Sequence, residues 1–429
     1  MATLDRWRSF LTTPKVLSFP KMQLIGRDYQ PPLASGSGEV AMQSLADLTY
    51  RFRASEIDFK ALTGAMQYQR ENSYQSIARM RLVGVDAEGV DWACGYTIPA
   101  KQDLVDGRFE AEGELESLIC DDASASRSAT SSTELIYSVD RLHPLVLAMR
   151  GQYEKKIEML GSTITFTFER EAACLAIVAE HSEQLPPTYA EQWLVQPFRI
   201  MFGQPLMPRL YARNLGGHSM ISVSTVPRVK NASWSAFWRC DDPNGSDFFE
   251  CYSGLLHMIA LRRDSRGEPI YELHPVTGFY DELSGVARAS RWVMALALAS
   301  TSEGLTKLLR PARTMSSDRK AERDEKVALI DVIESSGVSA RLKSVAVKAV
   351  QNFSSENETI KNSLRRLAAQ SIVTSSQFSA WNEIRNSVMH GTLMSPFSHE
   401  EEDAKLAELA ELVRAVTREL LRVSSAKAS

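Results

Sequence analysis

A change of periodicity near Glu282 constrains this 429-residue chain more than any other feature. Before it, apolar residues alternate over short runs bounded by Gly, Pro and Ser. After it, they recur at three- and four-residue spacing. Alternation gives a strand one buried side, and the longer spacing does the same for a helix. Neither pattern is stable in the other's geometry. The chain therefore reads as α+β and multidomain, with a β-rich domain over 1–281 and an all-helical bundle over 282–429. The length suits two or three domains with sizeable cores.

In the first part, Lys21–Ile25, Thr49–Arg53, Arg79–Val85, Trp92–Ile98, Phe109–Ile119 and Leu135–Val139 are strand candidates, and Ser162–Glu169 is the clearest. There Ile164, Phe166 and Phe168 alternate with threonines, and Ala172–Val178 is a candidate neighbour. Pro31-Pro32, Gly36-Ser37-Gly38 and the Ser/Ala-rich Asp121–Thr133 read as loops. Pro186-Pro187-Thr188 opens a helix running to about Phe202, with a kink or break expected at Pro197. Strands are expected again at Met220–Val226, Trp234–Trp238 and Ile270–Leu273, with a charged turn over Arg262–Glu268. Trp234, Phe237 and Trp238 suit a core better than a stacking platform, and His181, His218, His257 and His274 are scattered singly. No Walker loop, GxGxxG or HExxH is present.

The second part predicts one long helix over Leu283–Leu309, interrupted at most by Gly304 and ended by Pro311. A polar link over Met315–Arg323 follows, then helices over Asp324–Glu334, Val338–Phe353 and Glu356–Ala369. A further helix begins near Ser376–Ser379. The last is opened by a capping box of Ser398 and Glu401, so the acidic run Glu400–Asp403 reads as helix-start chemistry rather than a metal site. On that last helix Arg414, Arg418 and Arg422 form a second stripe. The ordinary reading is a solvated face partnered by Glu411 and Glu419, and the sharper one is a ridge touching RNA phosphates.

Charge sharpens the division. From Glu282 onward there are 21 Lys+Arg against 18 Asp+Glu, net +3, and the remainder holds 28 against 35, net −7. A mildly basic second part is compatible with RNA contact. Five scattered cysteines without CxxC spacing suggest reduced thiols. With no apolar run of about 18 residues and no leader-like N-terminus, a cytoplasmic protein without membrane contact is expected.

The chemistry concentrates at Trp381-Asn382-Glu383-Ile384-Arg385-Asn386-Ser387-Val388-Met389-His390-Gly391. At about 100° per residue Trp381, Ile384 and Val388 share one side of a helix. His390 lies about 180° from Trp381, Asn386 about 140° and Arg385 about 40°. Gly391 follows as a C-cap. A helix buried on one side thus displays an imidazole, an amide and a guanidinium. Arginine offers a planar fork to phosphate oxygens, and histidine exchanges protons near neutral pH. Cleaving RNA through its own 2′-hydroxyl needs those two services and no metal. Arg213-Asn214-Leu215-Gly216-Gly217-His218 repeats the spelling, but adjacent glycines argue for a turn there.

The pattern Arg385-Asn386-x-x-x-His390 resembles the signature of HEPN-domain ribonucleases. Its trailing His390-Gly391 and preceding Trp381-x-x-Ile384 resemble the ApeA-like anti-phage branch. The resemblance covers about 282–425, with the motif on the penultimate helix of a HEPN bundle. The first part is more weakly similar, in order, in length and in its Pro-Pro-Thr-led helix, to the N-terminal domains of such proteins. The resemblance implies a metal-independent endoribonuclease that needs no cofactor and leaves a 2′,3′-cyclic phosphate and a 5′-hydroxyl. Arg385, Asn386 and His390 are its expected catalytic residues, and Glu303 is a candidate for the polar residue that the family carries on the first helix of the domain. It further implies a homodimer whose two motifs line one cleft, an N-terminal domain that senses a phage-derived trigger, and abortive infection as the outcome. Thr392 stands where some family toxins carry a modified tyrosine, so that form of control is not expected. Two other readings stand beside this one: a catalytically silent module that binds RNA, a nucleotide or a protein partner, and a carbohydrate- or peptide-binding β domain with a dimerising helical tail.

Overall fold

Around Ile164, Phe166 and Phe168 the period-two pattern acts as its geometry requires. Those three side chains are buried, and the intervening threonines are half-buried. The structure is a computed structural model and describes residues 3–26, 31–72, 79–97, 99, 101–105, 108–122, 131–138, 154–171, 173–226, 236–238, 247–287, 289–309, 317–352, 359–389, 394, 397 and 399–426. It separates into two compact units, Met1–Thr277 and Gly278–Ser429.

The first unit is built on an antiparallel sheet. Its strands are β1 (Lys15–Ile25), β2 (Ala34–Met42), β3 (Thr49–Ile57), β4 (Met80–Val85), β5 (Asp91–Thr97), β6 (Lys101–Val105), β7 (Arg108–Glu114), β8 (Ser117–Asp122), β9 (Ser132–Ser138), β10 (Glu154–Met159), β11 (Ser162–Glu169), β12 (Cys174–Glu180), β13 (Leu210–Asn214) and β14 (Ser219–Ser224). Across the sheet they run β10-β11-β12-β9-β13-β14-β8-β5-β4-β1-β2-β3-β7-β6. A 3₁₀ helix, Thr3–Leu11, places Leu4, Trp7 and Phe10 in the sheet's core, where Trp7 meets Trp92 edge-on at 5.6 Å. Helix α1 (Phe59–Glu71) adds Leu62. Helices α2 (Pro187–Phe202) and α3 (Phe248–Ala260) pack on each other through Phe198 and Tyr252, 4.9 Å apart, and Tyr252 reaches the sheet at Phe166, 5.2 Å away.

Several local expectations are corrected here. Gly36-Ser37-Gly38 lies inside β2, not in a loop. A Cβ at Gly36 would strike the backbone of Arg53 and Ala54 on β3, so glycine permits the close strand approach at a bulge. Phe109–Ile119 is two strands, β7 and β8, parted at Leu115-Glu116. Helix α2 continues through Pro197 to Phe202. Residues 236–238 are not a strand. The N–H groups of Phe237 and Trp238 donate to the carbonyls of Ile200 and Met201, at the C-terminal end of α2, while Trp234 lies outside the described residues. Ile270–Leu273 is irregular, and beside it only a bridge joins Arg263 to Pro269. Of Asp121–Thr133, residues 123–130 lie outside the described residues.

In the second part, the expected long helix is two: α4 (Pro275–Val286) and α5 (Arg291–Leu308). The cause of the break is Ser290, whose side chain accepts from the Val293 N–H and caps α5. Gly304 does not interrupt α5. A Cβ there would overlap the ring of Phe279, so the glycine is a packing notch. Helices α6 (Ser317–Ser335), α7 (Ala340–Asn352), α8 (Ile360–Ala369), α9 (Ser375–Met389) and α10 (Glu400–Ala426) follow. Helix α6 starts inside the expected polar link, and Ser398 lies outside the described residues. Helices α5, α8, α9 and α10 share a core containing Leu298, Leu305, Leu364, Leu367, Trp381, Ile384, Leu409, Val413 and Val416. Arg291 meets Glu402 and Asp403 at the start of α10, and the Tyr280 and Thr417 hydroxyls are 3.1 Å apart inside. Among the described residues no helix is long and apolar enough to cross a membrane.

Two outcomes follow. His181 and His274 are each pushed down from the ordinary 6.5 to about 4, mainly by burial, with Arg213 and Arg262 adding to it. Each therefore folds neutral; at His274, Nδ1 accepts from the Val276 N–H, a role its protonated form cannot fill. The unfolded chain binds the extra protons first, so stability is full above about 6.5 and is lost as pH falls toward about 4. Denaturant midpoints measured across that window are expected to fall with pH, with a smaller slope in His274→Gln. Separately, Gly304→Ala overpacks Phe279 and is expected to cost about 1–3 kcal/mol in a denaturation series.

Candidate functional site

Helix α9 opens with a reciprocal cap. Thr374 Oγ1 accepts from the Gln377 N–H at 3.1 Å, and Gln377 Oε1 accepts from the Thr374 N–H at 3.0 Å. From this start Trp381 and Ile384 both turn inward and are buried. Phe378, 6.0 Å from the Trp381 ring, extends the aromatic seam.

With that side anchored, Arg385 and Asn386 are exposed. Arg385 keeps 51% of its side chain in solvent. Its Nε lies 3.3 Å from Oε1 of Glu303 on α5, and its guanidinium carbon sits 5.5 Å from the Trp381 ring centroid. The indole π-system and the carboxylate both favour the cation there. Glu303 is 25% exposed, between buried Ser302 and Leu305 on its own helix. The structure thus brings Arg385 and Glu303 together and sets Asn386 next along the same helix. His390 and Gly391 lie outside the described residues.

One pair near the motif had no sequence signal. Lys405 on α10 reaches Glu383 at 2.8 Å, and Ser379 also donates to Glu383. The Lys405 hydrogen bond holds the Glu383 carboxyl below its usual range, and Glu383 in turn raises Lys405. This pair ties α9 to α10 on a solvated side.

The arginine stripe of α10 is not a uniform ridge. Arg414 is 5% exposed and pairs with Glu411. Leu412, Val413, Ala415, Val416 and Thr417 are buried around it, so this part of the helix is enclosed on most sides, and Arg414 is removed from the candidate RNA contacts. A four-residue step also drifts about 40° round the helix, and Arg418 and Arg422 emerge into solvent. Arg422 donates to both carboxylate oxygens of Glu419, at 2.7 and 2.6 Å, which lowers the Glu419 pKa.

The second Arg-Asn-x-x-x-His spelling is a hairpin, as its glycines require. Arg213 and Asn214 end β13, Gly216 takes a φ of 71°, and the Leu215 N–H donates to the His218 carbonyl. Arg213 is held by Glu191 at 2.9 Å, and Asn214 is buried among Ser132, Glu134 and Ser219. Only the α9 copy presents its arginine and amide outward on a helix.

No family model, curated protein or solved structure matches the chain.

The Arg385–Glu303 pair and the Trp381 anchor are expected to separate in stability measurements. Glu303→Gln keeps the shape and removes a charge from a partly solvated pair, so its change should stay within about 1 kcal/mol. Trp381→Ala removes a fully buried side chain and should cost about 3–5 kcal/mol.

Proposed function

We propose that this chain is a metal-independent endoribonuclease of HEPN type. The observation that carries the reading is a half-exposed guanidinium, steadied by Glu303 and the Trp381 ring, one residue before Asn386 and five before His390. In the proposed reaction the RNA 2′-oxygen bonds to the adjacent phosphorus while the bond to the 5′-oxygen breaks. The 2′-hydroxyl proton passes to one group and the 5′-oxygen receives a proton from another. His390 serves as general base or general acid. Arg385 neutralises the charge that builds on the phosphorane, and Asn386 holds either His390 or a phosphate oxygen. Glu303 positions Arg385 rather than touching substrate. Arg418 and Arg422 remain candidates for phosphate contact farther along the RNA.

Because this mechanism asks for one acid and one base, two copies of the motif lining one cleft would supply both, and a homodimer through the helical unit follows. The biological setting we propose is abortive infection. A phage-derived trigger reaches the β-rich unit, the nuclease attacks RNA in the cytoplasm, and growth stops.

The test is cleavage of a labelled RNA in EDTA. Wild type is expected to release 2′,3′-cyclic phosphate ends, and His390→Ala and Arg385→Ala to lose about 10²-fold or more in rate. Cleavage that requires magnesium, or that survives His390→Ala, would overturn the mechanism. RNA binding without cleavage in every condition would favour a silent binding module.

A further inference from the structure

Helices α6 and α7 form an antiparallel hairpin that leaves much of its apolar surface uncovered. Val327, Leu329, Val332, Val338, Leu342 and Val345 are 48–64% exposed, although valine and leucine are residues that normally fill cores. The half-buried residues mark the sides on which the two helices meet: Ile330 and Ile333 on α6, Ala346, Val347 and Val350 on α7. Relative to that seam, Leu329 and Val332 lie about 100° round α6. Leu342, Val345 and Ala349 lie about 120° round α7 in the same rotational sense. Because the helices are antiparallel, equal rotation sense places both stripes on the same side of the hairpin. One broad apolar face results, two helices wide, where isolated exposed leucines would need no explanation.

The charges beside this face are complementary between the helices. Helix α6 carries six acidic and four basic residues, net −2, whereas α7 carries Arg341, Lys343 and Lys348 and no acid, net +3. Glu325 lies on the α6 stripe, and Arg341 and Lys348 edge the α7 stripe. Among the described residues none of these three has an ion-pair partner in its own chain. A second copy turned about a two-fold axis parallel to the helices sets each α6 against the other's α7. At that registry Glu325 of one copy stands level with Lys348 of the other, both about three helical turns from the hairpin bend. The apolar stripes meet between them. A partner of unrelated sequence would need the same acidic-beside-basic arrangement, which a second copy supplies automatically.

We infer that the α6–α7 hairpin is a self-association surface, which joins two copies of this chain through Leu329, Val332, Leu342 and Val345 with Glu325 paired to Lys348 across the two-fold. This rests on uncovered apolar surface and unpaired charge; the homodimer of the nuclease reading would instead join two motif clefts, so RNA cleavage tests that reading and the hairpin variants test this one. The face is about 20 Å across the two helices and about 10 Å along their axes, smaller than a standard interface, so association is expected to be weak and concentration- and salt-dependent.

The experiment is sedimentation of the full chain from low to high micromolar concentration. Wild type is expected to shift toward twice its 47.8 kDa mass. Leu342→Glu with Val345→Glu should raise the dissociation constant about 100-fold with no change in the circular dichroism spectrum, because both residues are exposed. Glu325→Lys and Lys348→Glu should each weaken association about tenfold, and the double reversal should restore it. A wild-type chain that stays monomeric throughout, or a Leu342/Val345 variant that dimerises as well as wild type, would overturn the inference. Charge reversals whose effects simply add would overturn the proposed pairing.

Discussion

The helical unit turns on the burial of Trp381. Its indole loses all solvent contact, and among the described residues its Nε1 donor has no hydrogen-bond partner. An unmet buried donor costs about 1–3 kcal/mol. An indole removes about 150–250 Å² of surface from water, which at about 25 cal/mol per Å² contributes about 4–6 kcal/mol. Burial prevails, and it fixes the rotation of α9 about its axis. With Trp381 and Ile384 inward, Arg385 can only emerge at the margin of the buried side, close enough for its guanidinium to lie over the indole and meet Glu303.

The Glu303 contact bears on the chemistry in two opposing ways. A carboxylate beside a guanidinium reduces the positive field offered to a phosphate. It also holds a long, rotamer-rich side chain in one place, so less entropy is lost when substrate arrives. At 51% exposure the ion pair is largely solvated and worth at most about 1 kcal/mol, so the first effect is small. The closest contact uses Nε, which leaves the two terminal nitrogens farther from the carboxylate. Those nitrogens can grip a phosphate while Nε keeps its carboxylate. Glu303 therefore positions the arginine more than it competes for it.

How legible this was depended on how local each cause is. Strand alternation at β11 and the 3/4 stripes of α9 and α10 are intrinsic to their own segments, and both could be read directly. The Gly216-Gly217 hairpin was equally plain, since two glycines decide a turn without outside help. Gly36 and Gly304 were misread because their reasons lie elsewhere: the backbone of β3 for one, the ring of Phe279 for the other. Arg414 was misplaced because a stripe seen along one helix says nothing about how many neighbours enclose it. Ser290 and the Thr374–Gln377 cap were readable signals that periodicity overshadowed. The Lys405–Glu383 pair joins residues far apart in sequence, and no pattern within either segment announces it.

The contrast between α9 and the α6–α7 hairpin shows where this unit places its stability. Helices α5, α8, α9 and α10 bury their apolar sides in a shared core, so a motif carried on α9 inherits a rigid base. The hairpin between α5 and α8 buries little beyond its own seam. Elements with few buried apolar contacts open at low free-energy cost, and an uncovered apolar face is also a liability for aggregation. Such a segment gains order only when something covers it. A second copy of the same hairpin matches it in apolar width and in sign of charge.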